Sequence, residues 1–374
     1  MSDYSIHVVG ARPNFMKAAP VIRALERRGI EPILVHTGQH YDARLSDIFF
    51  EQLRLPRPHH YLGVGSGSHA EQTAALLIAL EKLFLEVRPK RVVVYGDVNS
   101  TLAAAVTASK MEIPVAHVEA GLRSFDRSMP EEINRIVTDS LSDLHFVTSP
   151  EAIGHLAREG ISIESVHFVG NPMIDTLLTF RDRFEPARMV EEFGLDGPYG
   201  VVTLHRPSNV DDDETAERVV ECLRRAAKRV TLVAPLHPRG RARLEAAGIG
   251  QVAKVVDPMG YLDFMSLVAG ASVVLTDSGG IQEETSVLGI PCLTLRENTE
   301  RPITVTVGTN RLVGTDPERV DEAMHDLDSL REGGLPPLWD GRAGDRIAQV
   351  LVDEISRTGG GGESEYRVHS SDQS

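Results

Sequence analysis

The chain has 374 residues, 25% charged and 41% hydrophobic, the profile of an ordinary soluble protein too long for one typical core, so two domains are expected. Its net charge of -15 argues against nucleic acid or an anionic membrane as a main partner, so an anionic ligand must be met by locally placed cations and backbone N–H groups. There is no signal-peptide pattern and no apolar run of membrane-spanning length, and a cytoplasmic protein is expected.

In chain order, 6–9 is an apolar strand, Gly10-Ala11-Arg12-Pro13 a turn, and 14–28 a helix ended by Gly29. A strand at 32–35 leads through the polar turn His36-Thr37-Gly38-Gln39-His40 into another helix. Residues 71–86 have helical spacing, 91–95 form a strand, Gly96-Asp97-Val98-Asn99-Ser100 a turn, and 101–110 an alanine-rich helix. A strand at 114–118 precedes a long polar loop, 119–129. Pro130 then starts a helix with Glu131 and Glu132 in its first turn, where acids favour the dipole. Strands at 144–147 and 166–169 complete a block whose strand–helix alternation reads as a parallel sheet covered on both faces.

Residues 171–197 are mostly helical and polar and suit a connector. A second alternating block follows. Its strand 200–204 ends in His205-Arg206-Pro207-Ser208-Asn209, and a helix then runs to about 228. The strand 230–234 leads to Pro235-Leu236-His237-Pro238-Arg239, and 252–256 is the next strand. Helix 261–269 precedes strand 273–276, and a strand at 291–295 leads into Arg296-Glu297-Asn298-Thr299-Glu300-Arg301-Pro302. An amphipathic helix covers 340–358, and the glycine- and serine-rich 359–374 reads as a disordered tail. Cys222 and Cys292 fall in a helix and an apolar strand and read as core residues rather than a disulfide or metal pair. The expected architecture is α/β. Two Rossmann-like domains, 1–172 and 173–339, flank a cleft, and the 340–358 helix packs back on the first.

Polar clusters recur directly after apolar strands: Arg12 and Lys17, Asp97, Glu119, His205, His237, Ser278 to Gly280, and Arg296 to Arg301. In parallel sheets these positions share one edge, and two such edges facing each other suit an anionic, nucleotide-type ligand held between domains. In Asp277-Ser278-Gly279-Gly280-Ile281, a strand gives way to a helix through a glycine turn, and free N–H groups at the helix start could cradle phosphate. An ordinary glycine turn with Ser278 as N-cap has the same pattern. Likewise Asp97 reads as a helix cap or a catalytic acid, Glu131 as a dipole partner or an acid/base group, and Arg12 as a ligand for phosphate or for a neighbouring carboxylate. No Gly-x-Gly-x-x-Gly follows the first strand and no Gly-Lys-Ser/Thr occurs, so bound NAD and a P-loop lose weight. His36, His40 and His117 with Glu119 match no zinc framework, and no metal site is expected.

The motifs Gly10-Ala11-Arg12-Pro13…Lys17, Gly96-Asp97, His117-Val118-Glu119-Ala120-Gly121-Leu122-Arg123 and Pro130-Glu131-Glu132-x-Asn134-Arg135 come in that order. Gly170-Asn171, His205-Arg206, Asp277-Ser278-Gly279-Gly280-Ile281-Gln282-Glu283-Glu284 and Thr299-Glu300-Arg301-Pro302 follow. This succession resembles the bacterial non-hydrolysing UDP-N-acetylglucosamine 2-epimerases over nearly the whole chain. The resemblance implies a GT-B fold, a homodimer, no cofactor, and interconversion of UDP-GlcNAc and UDP-ManNAc that supplies ManNAc-type precursors for cell-surface polysaccharide. Carried across by motif, Asp97, Glu119 and Glu131 are the acid/base carboxylates. Arg12, Lys17 and His205 meet phosphate and the leaving group; Ser278, Gly279 and Gly280 hold the diphosphate; Glu284 holds the ribose, Arg301 further polar parts, and Phe264 lies near the uracil. Gln39, His40 and His237 match positions that in some relatives bind a second, activating UDP-GlcNAc. Pro207 and Asp42 depart from the equivalent ligands, so weakened or altered activation is expected; separately, Asn14 stands where many members have Glu. The rivals are a hydrolysing relative releasing ManNAc and UDP, an epimerase of a related UDP-2-acetamido sugar, a glycosyltransferase, and a non-catalytic sensor.

Overall fold

The first strand, β1 (Ser5–Val9), is buried along its whole length, as a strand in the middle of a parallel sheet covered on both faces must be. The computed structural model describes residues 5–38, 55–65, 67–236 and 238–359. Within them β1 joins β2 (Ile33–His36), β3 (His60–Tyr61), β4 (Arg91–Tyr95), β5 (Val115–Ala120), β6 (Leu144–Val147) and β7 (Val166–Phe168). They form a seven-stranded parallel sheet in the order β3-β2-β1-β4-β5-β6-β7. A second parallel sheet has six strands: β8 (Tyr199–Thr203), β9 (Thr231–Pro235), β10 (Lys254–Val256), β11 (Val273–Thr276), β12 (Cys292–Thr294) and β13 (Asn310–Leu312). Its order, β10-β9-β8-β11-β12-β13, repeats the topology of the first. Each order reverses at one point, between β1 and β4 and between β8 and β11, where open α/β sheets part their loops for a ligand.

Two sequence readings shift. The first helix is Arg12–Glu26, so Arg12 and Pro13 belong to its first turn, where proline's missing N–H costs nothing. The connector is not polar. Helix Pro172–Phe180 buries Met173, Ile174, Leu177 and Phe180 and packs on the first helix. Pro20, inside that first helix, leaves the Met16 carbonyl without its intrahelical donor, and the Thr176 hydroxyl supplies one at 2.6 Å. The short edge strands β3 and β13 carry too little periodicity to be read from sequence. The turn after β2 and the helix expected beyond it run into residues outside the described ones, as does the 360–374 part of the tail.

The last helix, Ala343–Gly359, packs against Arg12–Glu26. Asp175 caps it from the connector, accepting Ala343 N–H at 3.1 Å and Gly344 N–H at 2.7 Å. Both cysteines are buried and unpaired. No described helix is long and apolar enough to cross a membrane.

Candidate functional site

Asn14 ties together the two loops at the first sheet's switch point. Its Oδ1 accepts the Gly10 and Ala11 N–H groups at 3.1 Å each, and its Nδ2 donates to the Tyr95 carbonyl at 2.7 Å. Gly96 follows with φ 64°, and a Cβ there would meet Lys17 Nζ at 2.9 Å and Glu119 Oε2 at 3.1 Å. Glycine is what lets those two side chains lie against the turn.

Glu119 was expected to open a loop; instead it lies inside β5. It sits at φ 75°, where the register against β6 shifts between Val118 and Ala120. A non-glycine residue in the left-handed region costs roughly 1–3 kcal/mol, and such bulges re-aim a side chain beside functional sites. The buried carboxylate pairs with Lys17 and, across the domain boundary, with Arg301 at 3.2 Å.

Asp97 is not the helix cap. Val98 holds that position before helix Asn99–Lys110, and the Asp97 carboxylate takes Arg135 Nη1 at 2.5 Å. Burial works to raise its pKa, but Arg135, with Lys17 and Arg301, outweighs burial and the nearby Glu300 and holds it below the usual carboxylate value. Glu131 stands in the first turn of helix Pro130–Leu141, and its side chain makes no hydrogen bond or ion pair with the described residues. Its neighbour Glu132 is buried and heavily bonded.

In the second domain, Asp277 organises the turn after β11. It accepts the backbone N–H groups of His205 at 3.1 Å and Arg206 at 3.0 Å, and its Oδ1 faces His205 Nδ1 at 3.0 Å. Burial would raise the Asp277 pKa, yet the bonds from His205 and Arg206 keep it lowered. Ser278 occupies the N-cap of helix Gly279–Leu288, but its hydroxyl makes no capping bond. The capping alternative therefore fails in its side-chain part, and the helix's first N–H groups stay available to an anion. The glycines have a further reason. A Cβ on Gly279 would strike the Arg301 guanidinium, and one on Gly280 would come within 2.7 Å of Met173 Cε.

Arg301 is buried and pairs with Glu283 at 2.7 Å, Glu300 at 2.6 Å and Glu119. Burial would lower its pKa, but these carboxylates with Asp97 raise it well above the ordinary value. Burial likewise works to raise the pKa of Glu300. Arg301, Arg296 and Arg206, the last two at 2.8 and 3.1 Å, hold it well below the carboxylate range. At Glu283 burial prevails over Arg301 and the pKa is raised. Glu284, also buried, accepts from the Tyr261 hydroxyl at 2.9 Å, which joins its helix to Tyr261–Ala269, the helix carrying the half-buried Phe264.

Lys17, Asp97, Glu119 and Arg301 thus form one charged network, with His205 and Ser278–Gly280 grouped around Asp277 on the second sheet. The side chain of Arg12 and the residues Gln39, His40, Asp42 and His237 lie outside the described part, so none of these site assignments is placed. The sequence reading gave no role to Arg135, Glu283 or Glu300, although each stands in a motif it quoted. Their long-range partners, Asp97 for Arg135, Arg301 for Glu283 and Arg206 for Glu300, lie far away in sequence, and spacing alone holds no trace of such pairing. Among the described residues, no three His, Cys, Asp or Glu gather to hold a metal ion.

A family model described as UDP-N-acetylglucosamine 2-epimerase matches residues 23–352. The UDP-N-acetylglucosamine 2-epimerase of Methanocaldococcus jannaschii is 42% identical over 92% of this chain and 98% of its own length. A crystal structure of the M. jannaschii UDP-GlcNAc 2-epimerase with UDP-GlcNAc and UDP matches with a TM-score of 0.86, covering 94% of this chain and 99% of that one. The UDP-2,3-diacetamido-2,3-dideoxy-D-glucuronate 2-epimerase of Pseudomonas aeruginosa is also 42% identical, over 92% of this chain and 98% of its own. A glycotransferase of kitacinnamycin, 15% identical with a TM-score of 0.57 over 95% of this chain and 98% of its own, shares the fold alone, in keeping with a GT-B-like pair of parallel-sheet domains. Matches of that extent, in archaeal and bacterial proteins alike, mean that this chain belongs to the UDP-N-acetylglucosamine 2-epimerase family.

Proposed function

We propose that the protein interconverts UDP-GlcNAc and UDP-ManNAc without hydrolysing them, by eliminating UDP across C1–C2 and adding it back. The C2 hydrogen is not alpha to a carbonyl, so an enolate route is closed. In the elimination a base takes the C2 proton, the new double bond forms, and the C1–O electron pair leaves with the diphosphate. The products are 2-acetamidoglucal and UDP, and re-addition with protonation on the other face gives the epimer. The observation that carries this reading is Glu119, a carboxylate in a strained backbone conformation held between Lys17 and Arg301 where the two domains meet. A leaving diphosphate would draw on those same cations.

In this reading Asp97, Glu119 and Glu131 exchange the C2 proton, and Arg12, Lys17 and His205 meet the departing diphosphate. Ser278, Gly279 and Gly280 hold it at the helix N-terminus, Glu284 binds the ribose, Arg301 other polar groups, and Phe264 lies by the uracil. Domain closure keeps water from the glycal. A proton NMR time course with UDP-GlcNAc in deuterated water tests this: deuterium at C2 in a mixture of epimers supports it, whereas free ManNAc or an unchanged spectrum refutes it.

A related UDP-2-acetamido sugar is the second reading, favoured by the equal identity to the Pseudomonas uronate epimerase. Comparing kcat/KM on UDP-GlcNAc and UDP-2,3-diacetamido-2,3-dideoxy-D-glucuronate separates the two. A homodimer is part of the proposal. Ile78 and Leu85, exposed two turns apart on helix His69–Val87, support self-association, which sedimentation would detect.

A further inference from the structure

Asp97 is held by an apparatus that the proposed chemistry does not use. Arg135, only 2% exposed at its side chain, forks between two carboxylates. Its Nε and Nη2 reach Glu132 Oε2 at 3.2 and 2.6 Å, while Nη1 reaches Asp97 Oδ2 at 2.5 Å. Glu132 is itself anchored by the Ser124 N–H at 2.9 Å, the Ser124 hydroxyl at 3.0 Å and the Phe125 N–H at 2.9 Å. On the same helix, Asn134 Nδ2 donates to the Asp97 carbonyl at 2.8 Å and to Asn99 Oδ1 at 3.2 Å. From beneath, His117 Nε2 donates to the Gly96 carbonyl at 2.8 Å. Backbone and carboxylate of Asp97 are therefore both fixed, whereas Oδ1 has no hydrogen-bond partner among the described residues.

We infer that Arg135, braced by Glu132, is a positioning residue that occupies Oδ2 of Asp97 and leaves Oδ1 as the oxygen that exchanges the proton at C2 of the sugar. A planar guanidinium with donors on both sides can do this; a lysine ammonium cannot hold both carboxylates in one plane. The inference rests on the acid/base role proposed for Asp97.

The charge of Arg135 has a second effect. The charged groups around Asp97 are Arg135, Lys17, Arg301 and Glu300, and Arg135 is the largest of the influences opposing burial. Removing it leaves burial less opposed, so the Asp97 pKa rises toward or above its unperturbed value. Activity that needs ionised Asp97 is then lost at a higher pH on the acid side.

The test is a comparison of R135Q, R135K and D97N with the unaltered protein. It measures kcat and KM for the epimerisation from about pH 5 to pH 9, UDP binding by calorimetry, and thermal stability. R135Q should lower kcat and move its acidic limb up by about one pH unit or more, with UDP affinity within about threefold of the parent. R135K should keep the limb near its original pH and lower kcat. A folded R135Q whose limb does not move, with only its Tm reduced, overturns the inference. If R135Q does not fold, an R135K with kcat and pH profile equal to the parent overturns it. Failure of the underlying reading looks different: an unaltered protein inert on UDP-GlcNAc, or a fully active D97N, removes the role of Asp97 itself.

Discussion

Replacing Arg301 by methionine keeps most of the side-chain volume and removes the charge that three carboxylates share. Glu300 would keep Arg296 and Arg206, and Glu119 would keep Lys17. Glu283 has Arg301 as its one ion-pair partner among the described residues and is fully buried, so it is the group left stranded. Removing one partner of a buried pair costs about 3–5 kcal/mol. For a domain of this size that is a fall in Tm of roughly 6–20 °C. The raised pKa of Glu283 would climb further without Arg301. A carboxyl with its folded pKa above its unfolded one contributes stability below the unfolded value and loses it as pH rises through the folded one, so the deficit of R301M should be smaller near about pH 4 than at neutrality. Calorimetry on R301M and on R301M/E283Q checks this, because the neutral isostere should recover a large part of the loss. A deficit under about 1 kcal/mol at neutral pH, or a double variant no more stable than the single, refutes the argument.

Other consequences are as direct. Gly279→Ala places a Cβ on the Arg301 guanidinium and 2.9 Å from Glu300 Oε1, so UDP affinity should fall at least about tenfold by calorimetry; an unchanged affinity would show that Arg301 yields freely. Asp97→Asn should abolish C2 deuterium exchange and still bind UDP. Thr176→Val leaves the Met16 carbonyl unpaired beside Pro20 and should cost about 1–3 kcal/mol in urea unfolding. Asp175 is raised to about 6, by burial first, against the bonds from Gly344 and Ala343. Its contribution to stability is therefore complete below its unfolded pKa and lost as pH rises through about 6, a drop that D175N should remove from the stability–pH curve.

The residues after strands were legible because a parallel sheet forces them to one edge: His205, Asp277 and Ser278, like Asp97 and Lys17, needed only the strand pattern and the βα order to be grouped. The strands of the core were read closely for the same reason, since a run such as 273–276 is buried on both faces and shows as a continuous apolar segment. Glu119 was found as a candidate but misplaced, because a bulge leaves no mark in the apolar pattern. The polar reading of 171–197 failed at Pro172–Phe180, where an interdomain helix turns its apolar residues into the core.

By itself, then, the sequence determined two alternating α/β units and, through its ordered motifs, which side chains are candidates for the sheet edge where such folds take a ligand. Only the tertiary structure decided how those charges are shared. It brought Arg301 from the second domain onto Glu119 of the first, assigned Arg135 to both Asp97 and Glu132, and used the missing Cβ of Gly279 to seat a guanidinium beside the helix start. The reason is physical. Periodicity is a local property fixed by backbone geometry, whereas a buried charge is stabilised by whichever opposite charge the fold carries to it, at a separation along the chain that no local pattern encodes.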